Sequence, residues 1–146
     1  MYVLDTNVIS AVRVPGRAPA VEAWLRAVPL VDLYTTALNL AEIEQGVRRK
    51  ERDDQSQGAV LREWFEGQVL PAFTATNRVL PFDIRAARIF GRYPVPEEAP
   101  ANNVLIAATA EAHGMVMVTR NVKHFEPLGV RMLNPWDLPQ ERSDAR

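Results

Sequence analysis

The sequence contains no cysteine and only two histidines, His113 and His124, among its 146 residues. The absence of cysteine excludes disulfide bonds, thiolate zinc sites and cysteine nucleophiles, and it fits a reducing compartment. Two histidines are too few for a histidine-rich metal site. Any metal chemistry in this chain would therefore have to use oxygen ligands.

Long apolar runs and an excess of charge of one sign are also missing. No apolar stretch reaches the length of about 18 residues that a membrane span needs, and Asp5 interrupts the N-terminus before a signal-like region forms. We therefore expect a cytoplasmic protein that does not enter a membrane. The formal net charge of -1 and the pI of 6.1 give no overall basic field. Nucleic-acid binding would have to rely on a local patch.

What is present is ordinary material for one globular domain. The chain is 47% apolar and 24% charged, which is enough for a real hydrophobic core. Its length is typical of a single domain and leaves little room for a second one. We predict one domain at residues 1–138, followed by a polar C-terminal tail at residues 139–146.

Apolar runs and amphipathic segments alternate along this domain. Residues 2–4 and 115–118 are continuous apolar runs, which is typical of strands covered on both faces of a sheet. Strands that alternate with helices predict an α/β fold with a parallel central sheet and helices on both faces. The predicted strands are residues 2–4, 30–35, 79–82, 115–118 and 131–135. The predicted helices start after Asp5, cover residues 19–27, 58–68 and 84–93, run from residue 38 into the charged stretch 48–54, and run from Asn102-Asn103 to His113-Gly114.

Four polar residues lie where these elements begin or end. Asp5 and Asn121 follow predicted strands, while Glu42 and Asn103 lie on helices that can start beside the same sheet edge. Functional residues of parallel sheets gather at the carboxyl ends of the strands, so we expect all four to converge. Carboxylate and amide oxygens suit Mg²⁺ or Mn²⁺, with a phosphodiester supplying the remaining ligand. Such an ion can activate a water for attack on phosphorus.

Each of these residues also has an ordinary structural interpretation. Asp5 and Asn103 are good helix caps, and Glu42 fits a solvated helix face. The basic residues Arg48, Arg49, Lys50 and Arg52 are usually a solvated face, although they can also contact phosphates. His113 fits a helix ending, and His124 fits a loop.

Several segments, taken in order, resemble the PIN-domain family, and in particular the VapC-type toxins of bacterial toxin-antitoxin pairs. These segments are Leu-Asp-Thr-Asn from Leu4, Ala-Glu-Ile-Glu-Gln-Gly from Ala41, Ile-Ala-Ala-Thr-Ala from Ile106 and Val-Thr-Arg-Asn-Val-Lys-His-Phe from Val118. The likeness covers residues 1 to about 138, and the Thr-Arg-Asn-x-x-His-Phe segment is its most specific part. It implies a Rossmann-like, three-layer α/β/α domain. It also implies a Mg²⁺- or Mn²⁺-dependent endoribonuclease that is inhibited by an antitoxin and is often a homodimer.

The resemblance assigns a role to each of the four positions. Asp5 matches the first acidic ligand and Glu42 the second, while Asn121 matches the last site position, which is Asp or Asn in the family. Asn103 falls where the family has the aspartate of an Asp-x-x-Ile-Ala-Ala helix. We therefore expect Asp5, Glu42 and Asn103 to be the metal-binding positions.

The amide at Asn103 changes the expected chemistry. It can offer a neutral oxygen to a cation, but it supplies no negative charge and cannot act as a general base. We expect weaker metal binding and low or absent RNA cleavage. Both natural drift and a deliberate Asp-to-Asn substitution would produce this residue, and the intact segments around it favour the second.

Two other functions fit parts of the pattern. A haloacid-dehalogenase-type phosphohydrolase also has an aspartate after its first strand, but its Asp-x-Asp motif is replaced here by Asp5-Thr6-Asn7. A non-catalytic protein that binds RNA or a partner with a decayed metal site is the main alternative. An apolar groove near Trp24 and Trp64 would suit an antitoxin segment, although the two tryptophans fit core or dimer contacts better.

Overall fold

A computed structural model describes residues 1–94 and 101–138. The predicted tail at residues 139–146 and most of the proline-rich connection before residue 101 lie outside the described residues. Five strands form one parallel sheet in the order β3-β2-β1-β4-β5. The strands are β1 (Tyr2–Leu4), β2 (Leu33–Thr36), β3 (Val79–Leu80), β4 (Val116–Val118) and β5 (Met132–Leu133).

Eight α-helices connect or follow these strands in the described part of the chain. They are α1 (Thr6–Ala11), α2 (Pro19–Ala27), α3 (Ala37–Asp53), α4 (Gln55–Trp64), α5 (Leu70–Thr74), α6 (Ile84–Phe90), α7 (Ala101–Ala112) and α8 (Val122–Phe125). A π-helical turn, Phe65–Val69, joins α4 to α5. None of the helices described is long and apolar enough to cross a membrane.

Alternate residues of the central strands supply the cores on the two faces of the sheet, because successive strand side chains point to opposite faces. Leu4 and Val118 pack on one face with apolar residues of α1 to α5. Val3 and Met117 pack on the other face with α7 and with Phe125 of α8. The predicted three-layer α/β/α architecture is confirmed, and the described sheet is parallel throughout.

Some predicted boundaries were wrong. Residues 30–32 form a 3₁₀ turn rather than the start of β2, since the Leu33 amide bonds back to the Leu30 carbonyl and the side chains of Leu30 and Val31 are exposed. The helix predicted from Gly58 begins three residues earlier, with Asp54 accepting a hydrogen bond from the Gln57 amide. Gly58 marks a close approach of two helices, since a Cβ there would lie 2.3 Å from Glu51 Cα.

Other boundaries differ by smaller amounts. The strand predicted at 79–82 ends at Leu80, and the helix predicted at 84–93 ends at Phe90. The helix predicted from Asn102 and Asn103 includes both residues and begins at Ala101. Gly114 ends that region as predicted, with a φ of 64° that favours glycine.

Candidate metal centre

Asp5 lies at the carboxyl end of the central strand and is only 4% exposed. Its backbone amide still donates to the Val118 carbonyl of β4, so the residue is fixed against the neighbouring strand. Its side chain caps α1 by accepting a hydrogen bond from the Thr6 amide at 2.9 Å. The ordinary interpretation as a helix cap is therefore correct, and it leaves the carboxylate at the sheet edge.

Three more donors hold the Asp5 carboxylate in place. Asn39 Nδ2 donates to Oδ1 at 3.0 Å. Thr119 Oγ1 donates to Oδ2 at 2.7 Å, and Asn7 Nδ2 donates to the same oxygen at 3.3 Å. We call Asp5, Thr6, Asn7, Asn39 and Thr119 the Asp5 network. These hydrogen bonds fix the direction of the carboxylate.

Asn39 is the part of this network that the sequence interpretation missed. Thr36, the last residue of β2, caps α3 by accepting from the Asn39 amide at 3.1 Å and donates to Asn39 Oδ1 at 2.7 Å. The fully buried Asn39 side chain then spans from this cap to Asp5. The Thr-x-x-Asn spacing after an apolar run was the available signal. This spacing indicates a helix cap, but it does not indicate that the Asn39 side-chain amide reaches Asp5 at the end of β1.

Glu42 lies one turn further along α3, half-buried and close enough to Asp5 for repulsion between them to matter. Burial, and then repulsion from the Asp5 carboxylate, raise the pKa of Glu42. Glu42 Oε1 is buried and has no hydrogen-bond partner among the described residues. A buried oxygen without a donor beside a second carboxylate fits a cation ligand, because a cation removes both penalties.

Among the described residues Asn121 and Asn103 make fewer hydrogen bonds than Asp5, and of the two only Asn121 is joined to the Asp5 network. The exposed Asn121 donates its backbone amide to Thr119 Oγ1 at 3.1 Å, which links it to the Asp5 network. Asn103, in the first turn of α7, has its side-chain Nδ2 3.3 Å from His124 Nδ1. His124 lies on the one-turn helix α8, close to its predicted loop position. We call Asn103 and His124 the Asn103 flank.

The neighbouring carboxylates of Asp5 and Glu42 fit a hard divalent cation, which prefers oxygen ligands. Asp5 and Glu42 offer negative oxygens, and Asn103 offers a neutral one. In residues 1–94 and 101–138, no group of three or more His, Cys, Asp or Glu side chains is arranged to hold a metal. An aspartate at position 103 would add the third acidic side chain.

A cleft of about 240 Å³ opens beside Glu42. Thr6 and Ser10 of α1, with Arg13 just after this helix, line one side. Helices α3 and α4 complete the cleft with Gly46, Leu61 and Trp64 among others. Trp24 lies elsewhere, edge-on to Tyr2 with ring centroids 5.0 Å apart, as a core contact. Only Trp64 of the two tryptophans lines this cleft.

Comparison with known proteins identifies the family of this domain. The family model described as the PIN domain matches residues 2–127. This chain belongs to the PIN-domain family.

Full-length relatives of this PIN domain include VapC-type proteins. The chain is 35% identical to VapC ribonuclease Y4jK of Sinorhizobium fredii, over 94% of this chain and 99% of the relative. It is 36% identical to Toxin FitB of Neisseria gonorrhoeae, over 93% and 99%. The crystal structure of FitAcB from Neisseria gonorrhoeae superposes with a TM-score of 0.83 at 36% identity, covering 94% of this chain and all of that one. The resemblance to VapC-type PIN toxins is confirmed.

Proposed function

We propose that this PIN domain is the toxin of a toxin-antitoxin pair and that its site is that of a metal-dependent endoribonuclease, attenuated by Asn103. The full-length likeness to proteins named VapC ribonuclease and Toxin FitB supports the coarse activity. The observation that carries the metal dependence is the buried Glu42 Oε1, which has no donor among the described residues and lies near Asp5.

The contacts of each residue indicate its role in the proposed site. Asp5 is oriented by its four donors, and Glu42 presents an oxygen that no described group satisfies. These two side chains and the Asn103 oxygen would hold Mg²⁺ or Mn²⁺. A bound ion of this kind supplies an activated water and neutralises charge on the leaving oxygen of a phosphodiester. Asn121, tied to Thr119, lies at the rim where a substrate would pass.

The attenuation follows from charge. With Asn103 the three ligands carry two negative charges, whereas an aspartate would raise this to three and add a candidate base. Weaker ion binding and slower cleavage are the expected results.

Reversion tests this function directly. We expect Asn103→Asp to raise Mg²⁺-dependent cleavage of a mixed-sequence RNA by more than about a hundredfold, since even outer-shell partners of metal ligands are worth 10- to 100-fold. The matched control is the double variant Asp5→Asn, Asn103→Asp, which restores one acid while removing another and should stay as slow as the parent. Absence of any gain in Asn103→Asp, with the fold intact by circular dichroism, would refute the proposal.

A non-catalytic RNA- or partner-binding protein is the second candidate. It is favoured by the lack, in the described residues, of a group of three acidic or histidine side chains arranged for a metal. Titration calorimetry of RNA with and without Mn²⁺ separates the two candidates, because the RNA affinity of a non-catalytic binding module does not depend on the ion. A heat of Mn²⁺ binding that is seen in the parent and disappears in Glu42→Gln would support the attenuated enzyme.

The partners proposed for this toxin are RNA, a cognate antitoxin and a second copy of the chain. Among the described residues, the most exposed large apolar side chains are Ile84 at 75%, Val31 at 68% and Leu30 at 64%, and such side chains can take part in a protein interface. Light scattering on the purified chain tests the dimer, and copurification with an antitoxin from its own operon tests the pair.

A further inference from the structure

Helix α3 carries a basic stripe that starts beside the metal centre. Glu42 and Arg49 are seven residues apart, so they share one helix face and lie about 10 Å apart along the axis. Arg52 extends the same side by about another 5 Å. Gln45, Arg48, Arg49 and Arg52 line one hollow of about 330 Å³. We call Gln45, Arg49 and Arg52 the basic stripe.

The stripe continues the cleft at Glu42. Glu42 itself lines that cleft, and Gln45, Arg49 and Arg52 follow it at spacings of three, four and three residues, which places them along one side of α3. Arg49 and Arg52 are both exposed. A chain leaving the metal centre along α3 would therefore meet two guanidinium groups in succession.

Salt bridges to helix α4 hold two glutamates of α3 away from the basic stripe. Arg62 of α4 binds Glu44 and Glu51 of α3, each at 2.7 Å, and reaches Glu66 at 3.3 Å. The hydrogen bond from Arg62 lowers the pKa of Glu51 and keeps it in this pair. The close helix approach at Gly58 brings α4 to Glu51. Glu44 and Glu51, the acidic residues of α3 between Glu42 and Arg52, are thus both bound by Arg62 of the next helix.

The arginines differ in how far they are neutralised. Arg48 pairs with Glu44 at 3.1 Å, and Arg52 has only Asp53, at 3.6 Å with both side chains well exposed. Arg49 makes no ion pair with any residue in the described ranges. Arginines near the C-terminus of α3 also interact favourably with the helix dipole. That interaction does not explain why Arg49 lies on the same helix face as Glu42.

We propose that the basic stripe of α3 binds the phosphate backbone of a single-stranded RNA whose scissile phosphate lies at Asp5 and Glu42. The proposal rests on the proposed function for the identity of the substrate. Single-stranded RNA is favoured because the stripe runs along one helix and offers separate cations to successive phosphates. Arginine forms paired hydrogen bonds to phosphate oxygens, and no base readout is required.

Binding can be measured on the chain as it is, since Asn103 attenuates cleavage and EDTA removes divalent ions. Fluorescence anisotropy with a short fluorescein-labelled RNA of mixed sequence gives Kd across a salt series. We expect the double variant Arg49→Ala, Arg52→Ala to weaken binding by about tenfold and to reduce the slope of log K against log salt by about 1.4, the value for two single-strand phosphate contacts.

A matched control is available at α6, where Arg88 of the helix and Arg92 just after its end are two other exposed arginines. The double variant Arg88→Ala, Arg92→Ala changes net charge equally and should alter Kd by less than about twofold. Equal losses in the two double variants would mean that only total charge matters and would overturn the stripe. A melting temperature equal to the parent's shows that the α3 variant is folded.

Cleavage by Asn103→Asp distinguishes failure of the stripe from failure of the proposed function. Adding the two α3 substitutions to Asn103→Asp should raise KM and leave kcat unchanged, as expected for loss of uniform binding. An unchanged KM would refute RNA binding by the basic stripe but not the proposed nuclease activity. RNA binding that depends on the basic stripe, without any cleavage by Asn103→Asp, would refute the nuclease activity instead.

Discussion

The two sides of the candidate metal centre are built very differently. On one side, the Asp5 network joins β1, α1, α3 and the end of β4 through a carboxylate that accepts four hydrogen bonds. On the other side, the Asn103 side chain has one hydrogen-bond contact within the described residues, to the exposed His124. The first arrangement ties several elements of the fold together, whereas the second joins only α7 and α8. We therefore expect a substitution at position 103 to disturb the domain less than one in the Asp5 network.

The largest effect on stability should come from Asn39. Its buried amide binds Asp5, Thr6 and Thr36, so Asn39→Ala leaves a buried carboxylate and a buried hydroxyl short of partners. We expect a loss of about 3 kcal/mol in the free energy of unfolding, measured with urea. Asn103→Ala removes the same group from the other side and should cost less than about 0.5 kcal/mol. Similar losses in both variants would remove the contrast between the two sides.

Thr119 tests the strength of the link from β4. Thr119→Val keeps the shape of a fully buried side chain but deletes the donor to Asp5 Oδ2 and the acceptor for the Asn121 amide. We expect a loss of about 2 kcal/mol in urea unfolding. Thr119→Ser keeps the hydroxyl and serves as the control. A loss in the serine variant as large as in valine would assign the effect to packing instead.

Glu42 should give the smallest effect, with the opposite sign. Burial and then repulsion from Asp5 raise its pKa above the ordinary 4.5. The folded state therefore binds this proton more tightly than the unfolded chain, and stability falls as pH rises through the folded pKa. Glu42→Gln should raise Tm at neutral pH by less than about 4 °C, with the difference vanishing toward about pH 4. A lower Tm at neutral pH would show that a described or bound group already satisfies Glu42.

The sequence predicted the features that depend on local pattern. The strand at residues 2–4 and the helix at residues 19–27 were correct because apolar runs and helical spacing are local signals. Residues 30–32 were wrong because Leu30 and Val31 are apolar yet exposed, and only the tertiary structure shows that they are not in the sheet. Gly58 resembled a helix start, while its actual role depends on the approach of α4 to Glu51.

The site could be predicted only in part for the same reason. Asp5 and Glu42 carry charge and stand beside recognisable segments, so they were identifiable from the sequence. Asn39 was not, because its importance depends on a contact between residues 34 positions apart. The metal-binding roles of Asp5, Glu42 and Asn103, and the site role of Asn121, stay predictions.

The order of the strands in the sheet also determines when the site can exist during synthesis. β1 is made first but lies in the centre, paired with β2 and with β4. The Thr119 hydroxyl that holds Asp5 comes from a residue 114 positions later. A chain still being translated thus contains both carboxylates and the donors at residues 6, 7 and 39 long before the last donor to Asp5 is made. The fourth hydrogen bond to this carboxylate can form only after β4 has been synthesised and has paired with β1.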